Sequence, residues 1–345
     1  MTLAIINNGE DNMNSDLSGD HSKKTSLTPI TPALVDAARD LATKKGVDSW
    51  FIVAKAQTPD GHEFNFMSHM MSVSLNLPLT PKINLTVNSI TDKTTGWYSA
   101  KEYTYPARKV NISAKRLSVV MPNAKLAGTI QEMNLVASLP DGAIDVTMRP
   151  AGPILCNCST GLFEMIGVRT YHFAFPKMET TGTLTTKGKQ YEISGISWLD
   201  RQWVPKVPLT LFRKRNYKWT WMNLNLDNGD FISLWDVIDF TKGTENAWGT
   251  VLHPDGTHIV VPIVPMAENV SDYWRSPVTD QRYPTRFVVK IPSLDTYLEV
   301  VPTVREQEIV STIDKKYEGA CTLTGTYMGK RVNGWTYVEM VGKWN

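Results

Sequence analysis

The sequence predicts an all-β protein of two tandem antiparallel β-barrel or sandwich domains, and three observations carry that expectation. From Trp50 onward, short β-branched and aromatic runs alternate with turn signals such as Pro59-Asp60-Gly61, Asp227-Asn228-Gly229 and Pro254-Asp255-Gly256. The second half repeats landmarks of the first in order, and a duplicated β-unit implies two similar shells that hide their edges by curling. The length of 345 residues, 42% of them apolar, suffices for two cores of ordinary size.

In chain order, residues 1–28 are rich in Asn, Asp, Ser and Lys with little to bury, and read as a disordered leader. Thr31 to Lys45 is the one helical stretch, with Thr31 as its cap and Pro32 at the first helical position. An N-terminal domain, 29–207, then opens on the strand from Trp50 to Gly61. A C-terminal domain, 208–345, opens on a matching Trp-led strand from Trp219 to Gly229. Towards the close of each half, Gly182 to Lys189 answers Ala320 to Lys330, and Gly195-Ile-Ser-Trp198-Leu-Asp200 matches Gly334-Trp-Thr-Tyr337-Val-Glu339 in spacing. The junction falls between Pro205 and Arg215, where prolines and a basic cluster interrupt the strand pattern. A pocket between the domains is the natural place for a ligand.

Composition excludes several functions. The 36 basic and 34 acidic residues are interspersed and leave a net charge of +2, so no nucleic-acid surface is expected. Cys156, Cys158 and Cys321 form no disulfide framework, and the six histidines lack zinc-site spacing, so no metal is expected. The N-terminus turns polar at Asn7, short of a secretory signal, and no apolar run reaches the length of a membrane span; the expected location is the cytoplasm. With no Gly-rich phosphate loop, nucleophile elbow or zinc-protease motif, no cofactor is expected.

Strand parity supplies the candidate site. Trp219, Trp221, Asn223 and Asn225 share one face, and Thr220, Met222, Leu224 and Leu226 share the other. The aliphatic face belongs against a core. The tryptophan–carboxamide face offers flat contact area and hydrogen bonds to a ligand with an apolar body and polar ends, or else packs under a loop. On the next strand, which also carries Trp235, Asp236 lies among Ile232, Leu234 and Ile238; burial would raise its pKa and make it a general acid, unless an arginine satisfies it. Asp200 and Arg201 could orient or protonate a polar substrate group between Trp198 and Trp203. Glu339, acidic at the place equivalent to Asp200, equally suggests a structural part for that carboxylate pair. His69, among Met67, Met71 and Val73, is a second catalytic candidate or a hydrogen-bonded core residue. Tyr273 and Trp274 beside Arg275 add two aromatics, as substrate contacts or as a surface turn.

Ordered landmarks extend over nearly the whole chain after the leader. They include Trp50 with Pro59-Asp60-Gly61, Gly152-Pro153, Tyr171 to Pro176, Trp198-Leu-Asp-Arg-Gln-Trp203 and Tyr273-Trp-Arg-Ser-Pro277. Tyr283-Pro-Thr285, Gln307-Glu308, Tyr317-Glu-Gly319 and Tyr337-Val-Glu339 complete the series. Together they resemble the lipocalin-like family of carotenoid hydratase (hydroxyneurosporene synthase), which takes in kievitone hydratase and the decalin-forming Diels-Alderases, and are closest to its bacterial branch. The hydratase branch carries a histidine-rich strand where this chain has Trp198 to Trp203.

That resemblance implies two lipocalin-like domains, a pocket at their interface, and chemistry without redox cofactor or metal. The reading it favours is an enzyme of specialised metabolism that binds a long apolar polyene, polyketide or isoprenoid, and promotes Diels-Alderase-type cyclisation or a related addition to carbon–carbon double bonds. Holding reacting atoms in a near-attack shape can remove roughly 7 to 11 kcal/mol of barrier, so a pocket alone can suffice. A hydratase or dehydratase using a buried acid, and a non-catalytic carrier of apolar small molecules, are the alternatives.

Overall fold

The structure, a computed structural model, describes residues 33–44, 46–74, 82–205, 216–266, 269–311, 315–342 and Trp344. The expected leader, Thr31, Pro32 and the domain boundary at 207/208 lie outside the described residues. Among those residues the strands form two curled antiparallel sheets. A thirteen-stranded sheet lies between Val47 and Val204, and a ten-stranded sheet between Tyr217 and Gly342. Each curls around its own apolar cluster, so the chain is two tandem all-β, lipocalin-like domains.

The helix is much shorter than the sequence suggests. It covers only Ala37–Asp40, with Asp36 as N-cap, its Oδ1 accepting from the Arg39 backbone N–H at 3.2 Å. The residues after it are drawn instead to the first strand: the Lys44 backbone N–H donates to Asp48 at 2.9 Å. Cys158 sits in the short 3₁₀ turn Asn157–Ser159, and all three cysteines are free.

The two sheets repeat one strand order. In the first, Val47–Gln57 lies between Glu63–Val73 and Lys189–Val204. In the second, Tyr217–Leu226 lies between Phe231–Asp239 and Lys330–Gly342. The preceding long strands, Val168–Thr186 and Lys315–Tyr327, pair with the closing strand of each unit. Register then fixes the equivalences. Asp200 faces Phe51 across one strand pair and Glu339 faces Trp221 across the other, so Asp200 and Glu339 are counterparts.

Two matches made from sequence shift in register. Trp50 is not the counterpart of Trp219: it is fully buried in the first core, while Trp219 packs with the residues between the sheets. Likewise Gly182 corresponds to Gly325 and not to Ala320. Both glycines have left-handed φ, +152° and +157°, and a Cβ on either would lie about 2 Å from a backbone carbonyl of the adjacent strand, at 2.2 Å from Asp145 and 2.1 Å from Tyr297.

A third apolar cluster joins the two sheets. Phe51, Val53, Leu85 and Trp198 come from the first, and Trp221, Phe231, Trp235 and Tyr337 from the second. Phe51 meets Trp221 edge to face with centroids 5.5 Å apart, within the range aromatic pairs favour. This third cluster frames the site.

Candidate active site

Between the sheets lies a cavity of about 320 Å³, within the size range of small-molecule sites. Its wall is mostly apolar, with Phe51, Met71, Leu85, Trp219, Trp221 and Trp235 among the lining residues. Period-two alternation explains the wall. Met222, Leu224, Ile232 and Leu234 turn into the second core, which leaves Trp219, Trp221 and Trp235 on the face turned to the first domain.

Register also gathers charge on this wall. His69, Phe51 and Asp200 form one cross-strand row of the first sheet. Trp235, Trp221, Glu339 and Glu318 form the equivalent row of the second. His69 Nε2 lies 2.8 Å from Ser49 Oγ, and its Nδ1 lies 3.8 Å from Glu318 Oε1. Lys316 Nζ donates to Glu318 at 2.7 Å. Asp200 Oδ1 accepts from Trp198 Nε1 at 2.7 Å and sits 2.8 Å from His172 Nε2, which lies off the axis of an aligned hydrogen bond.

Burial then sets the protonation states. Burial, reinforced by the negative charge of Glu318, pushes the Glu339 carboxyl up to about 8, so it carries a proton at neutral pH. Burial also pushes Glu318 up, but the Lys316 ammonium and His69 more than offset it, and Glu318 stays ionised below the usual carboxylate range. Burial, only partly countered by Glu318, pushes the His69 imidazole down, so that ring is neutral at pH 7. Glu339 on the cavity wall is thus a neutral carboxylic acid, paired across the strands with Glu318, a buried carboxylate that is not itself part of the lining.

Of the residues singled out from sequence, His69, Asp200, Trp203, Trp219, Trp221 and Trp235 line the cavity. The others do not. Arg201 has the opposite parity to Asp200 and points into the first domain, where it pairs with Asp48, donates to the Asp40 and Ala42 carbonyls at 2.8 Å, and lies between the Trp50 and Trp203 rings. Asp236 faces the second core, because Trp235 takes the cavity side of that strand; it accepts the Met266 backbone N–H at 2.7 Å. Asn223 uses Oδ1 to accept from the Tyr337 backbone N–H at 2.7 Å and ties two strands together. Trp198 is fully buried behind Asp200. Tyr273 and Trp274 sit on the outer strand Val270–Arg275, under Arg282 and against Tyr283 respectively.

Sequence reasoning missed His172, Ser49, Lys316 and Glu318, and it leaned to a structural part for Glu339. The spacing match of Asp200 with Glu339 was the available signal. The other residues come together only through register across strands far apart in the chain.

Family comparison adds to this geometry. Residues 30–343 match the AttH-like family. The chain belongs to the AttH-like family. Among curated relatives, kievitone hydratase of Fusarium solani subsp. phaseoli is 24% identical over 224 residues, covering 62% of this chain and 61% of that protein. The dehydratase asqC of Emericella nidulans is 26% identical over 220 residues, 61% of each. The chain therefore spans about three fifths of the length of these relatives. Among solved structures, an AttH-type protein of Nitrosomonas europaea has a TM-score of 0.76 at 18% identity, covering 92% of this chain and 100% of that one. Kievitone hydratase from Nectria haematococca has a TM-score of 0.76 at 20% identity, covering 92% and 97%. CghA, solved with Sch210972, has a TM-score of 0.56 at 12% identity, covering 93% and 96%. At these identities the structures show the shared AttH-like fold. No helix among the described residues is long and apolar enough to cross a membrane.

Proposed function

We propose that this AttH-like chain is a hydro-lyase, a hydratase or dehydratase that adds water to, or removes it from, an apolar small molecule held between the two domains. The observation that carries the reading is Glu339, a carboxyl that remains protonated through neutral pH on an indole-walled cavity. In the dehydration direction, Glu339 gives its proton to the leaving hydroxyl oxygen as the C–O bond breaks. Asp200 takes the proton from the adjacent carbon, the C=C bond forms, and water leaves. Hydration is the reverse: Asp200 gives the proton back to carbon, and the carboxylate of Glu339 accepts one from the attacking water. A carboxyl kept protonated at neutral pH, on the same cavity wall as a second carboxyl, is a pattern that acid–base catalysis can use.

The names of the curated relatives, a hydratase and a dehydratase, support this assignment. Cyclisation of a polyene draws on the same apolar wall but leaves Glu339, Asp200 and Lys316 without a task; carriage of an apolar ligand does so as well. The deciding experiment incubates the purified full chain with kievitone and a panel of isoprenoid alkenes and tertiary alcohols in ¹⁸O-water, and follows products by mass spectrometry. Gain of one labelled water by an alkene, or loss of one unlabelled water by an alcohol, abolished in Glu339→Gln, is the expected result. Products of unchanged mass but new retention time, formed equally by Glu339→Gln, would establish cyclisation instead.

A further inference from the structure

We propose that Asn157 is a positioning residue that holds the His172 ring in the tautomer protonated on Nε2, and that the second domain fixes it there. The consequence for catalysis rests on the hydro-lyase reading; the proton position does not. Asn157 is fully buried. Its Nδ2 meets His172 Nδ1, and it donates to Ser233 Oγ at 3.2 Å, while Thr250 Oγ1 donates to its Oδ1 at 3.3 Å. Asn157 and His172 belong to the first domain. Ser233 and Thr250 lie on Phe231–Asp239 and Thr244–Leu252 of the second.

The proton assignment follows from what each ring nitrogen faces. Nδ1 faces the Asn157 amide nitrogen, a donor without a lone pair, so Nδ1 keeps its own lone pair to accept and the ring proton sits on Nε2, 2.8 Å from Asp200 Oδ1 but off the axis of an aligned bond. Thr250 orients the amide: its hydroxyl accepts the Cys158 backbone N–H at 3.0 Å and so turns its own proton to Oδ1. The backbone bends to achieve this. Cys158 and Ser159 both have left-handed φ, 50° and 62°, which non-glycine residues keep only where their surroundings hold them. The orientation of His172, and with it the partner of Asp200, therefore depends on docking of the two domains.

The test is a long-range ¹H–¹⁵N spectrum of the full chain labelled with ¹⁵N-histidine, with the His172 signals assigned from His172→Gln. A protonated Nε2 and an unprotonated Nδ1 are expected. Asn157→Asp, nearly the same shape, places a proton on Nδ1, and Thr250→Val, which does not touch the ring, mixes the tautomers. A wild-type ring protonated on Nδ1, or an Asn157→Asp spectrum identical to wild type, overturns the proposal. In the water-exchange assay Asn157→Ala lowers kcat on the order of 10²-fold with KM little changed, the scale of a misplaced catalytic group; an unchanged kcat beside an altered tautomer removes the positioning role. Because the spectra need no turnover, failure of the hydro-lyase reading leaves the tautomer result standing and distinguishable.

Discussion

Asp200 and Glu339 hold equivalent places in the two repeats and meet opposite surroundings. Asp200 accepts from the Trp198 indole and lies against His172, whereas Glu339 faces the charge of Glu318 in a site that burial has dried. Divergence after duplication has thus turned one carboxyl position into an acceptor and an acid. Glu339→Gln keeps the shape and removes the proton, and kcat/KM is expected to fall by about 10²- to 10⁴-fold, the usual share of a general acid. Stability responds with a definite sign. The folded state binds a proton on Glu339 that the unfolded state releases between its ordinary value of 4.5 and about 8, so the wild type loses stability as pH rises through that window. In urea melts, Glu339→Gln should match wild type near pH 4.5 and exceed it at pH 9. The acid was half legible in the sequence. Spacing paired Glu339 with Asp200, but Asp236, a carboxyl on an aliphatic face, offered a competing one-dimensional signal, and the choice of which strand face meets the other domain decides between them.

The succession of strands and the hairpin turns could be read along the chain because each is written locally, in alternation and in turn residues. Register could not. The Trp-led strands looked equivalent, yet pairing places Trp50 in a core and Trp219 on the cavity, since a one-residue slip exchanges the two faces of a strand. Gly182 and Gly325 give an independent check on the corrected alignment. Each has a φ near +155° and a neighbouring backbone carbonyl about 2 Å from a built Cβ, with 2.2 Å and 2.1 Å the values found. Gly182→Ala and Gly325→Ala should each destabilise by about 1 to 3 kcal/mol in denaturant melts, a similar loss in both units. Arg201 belongs at this scale as well. It joins the segment at Asp40–Ala42 to the sheet through carbonyl bonds and the Asp48 ion pair, fully out of water. Arg201→Ala should cost about 3 to 5 kcal/mol by leaving Asp48 buried without its counter-charge, and calorimetry would read that loss.

In the whole molecule, three apolar clusters divide the labour: two hold the shells and the third joins them around the cavity. The two-domain plan was legible because duplication leaves ordered landmarks. The polar half of the site was not, because His69, His172, Lys316 and Glu339 reach the cavity from four different strands, with Glu318 on the same strand as Lys316, and no window of sequence brings them together. Phe51 spans the joint by meeting Trp221. Phe51→Ala should cost about 3 to 5 kcal/mol and raise KM as the cavity widens, measurable by urea melts and steady-state kinetics. What unites these scales is a single carboxylic acid kept neutral where the two domains meet. Infrared difference spectroscopy of wild type against Glu339→Gln tests that directly. A protonated-carboxyl C=O band present at pH 7, absent from the variant and titrating away near pH 8, is the predicted result; a wild-type spectrum at pH 7 with only ionised carboxylate at this position would contradict it.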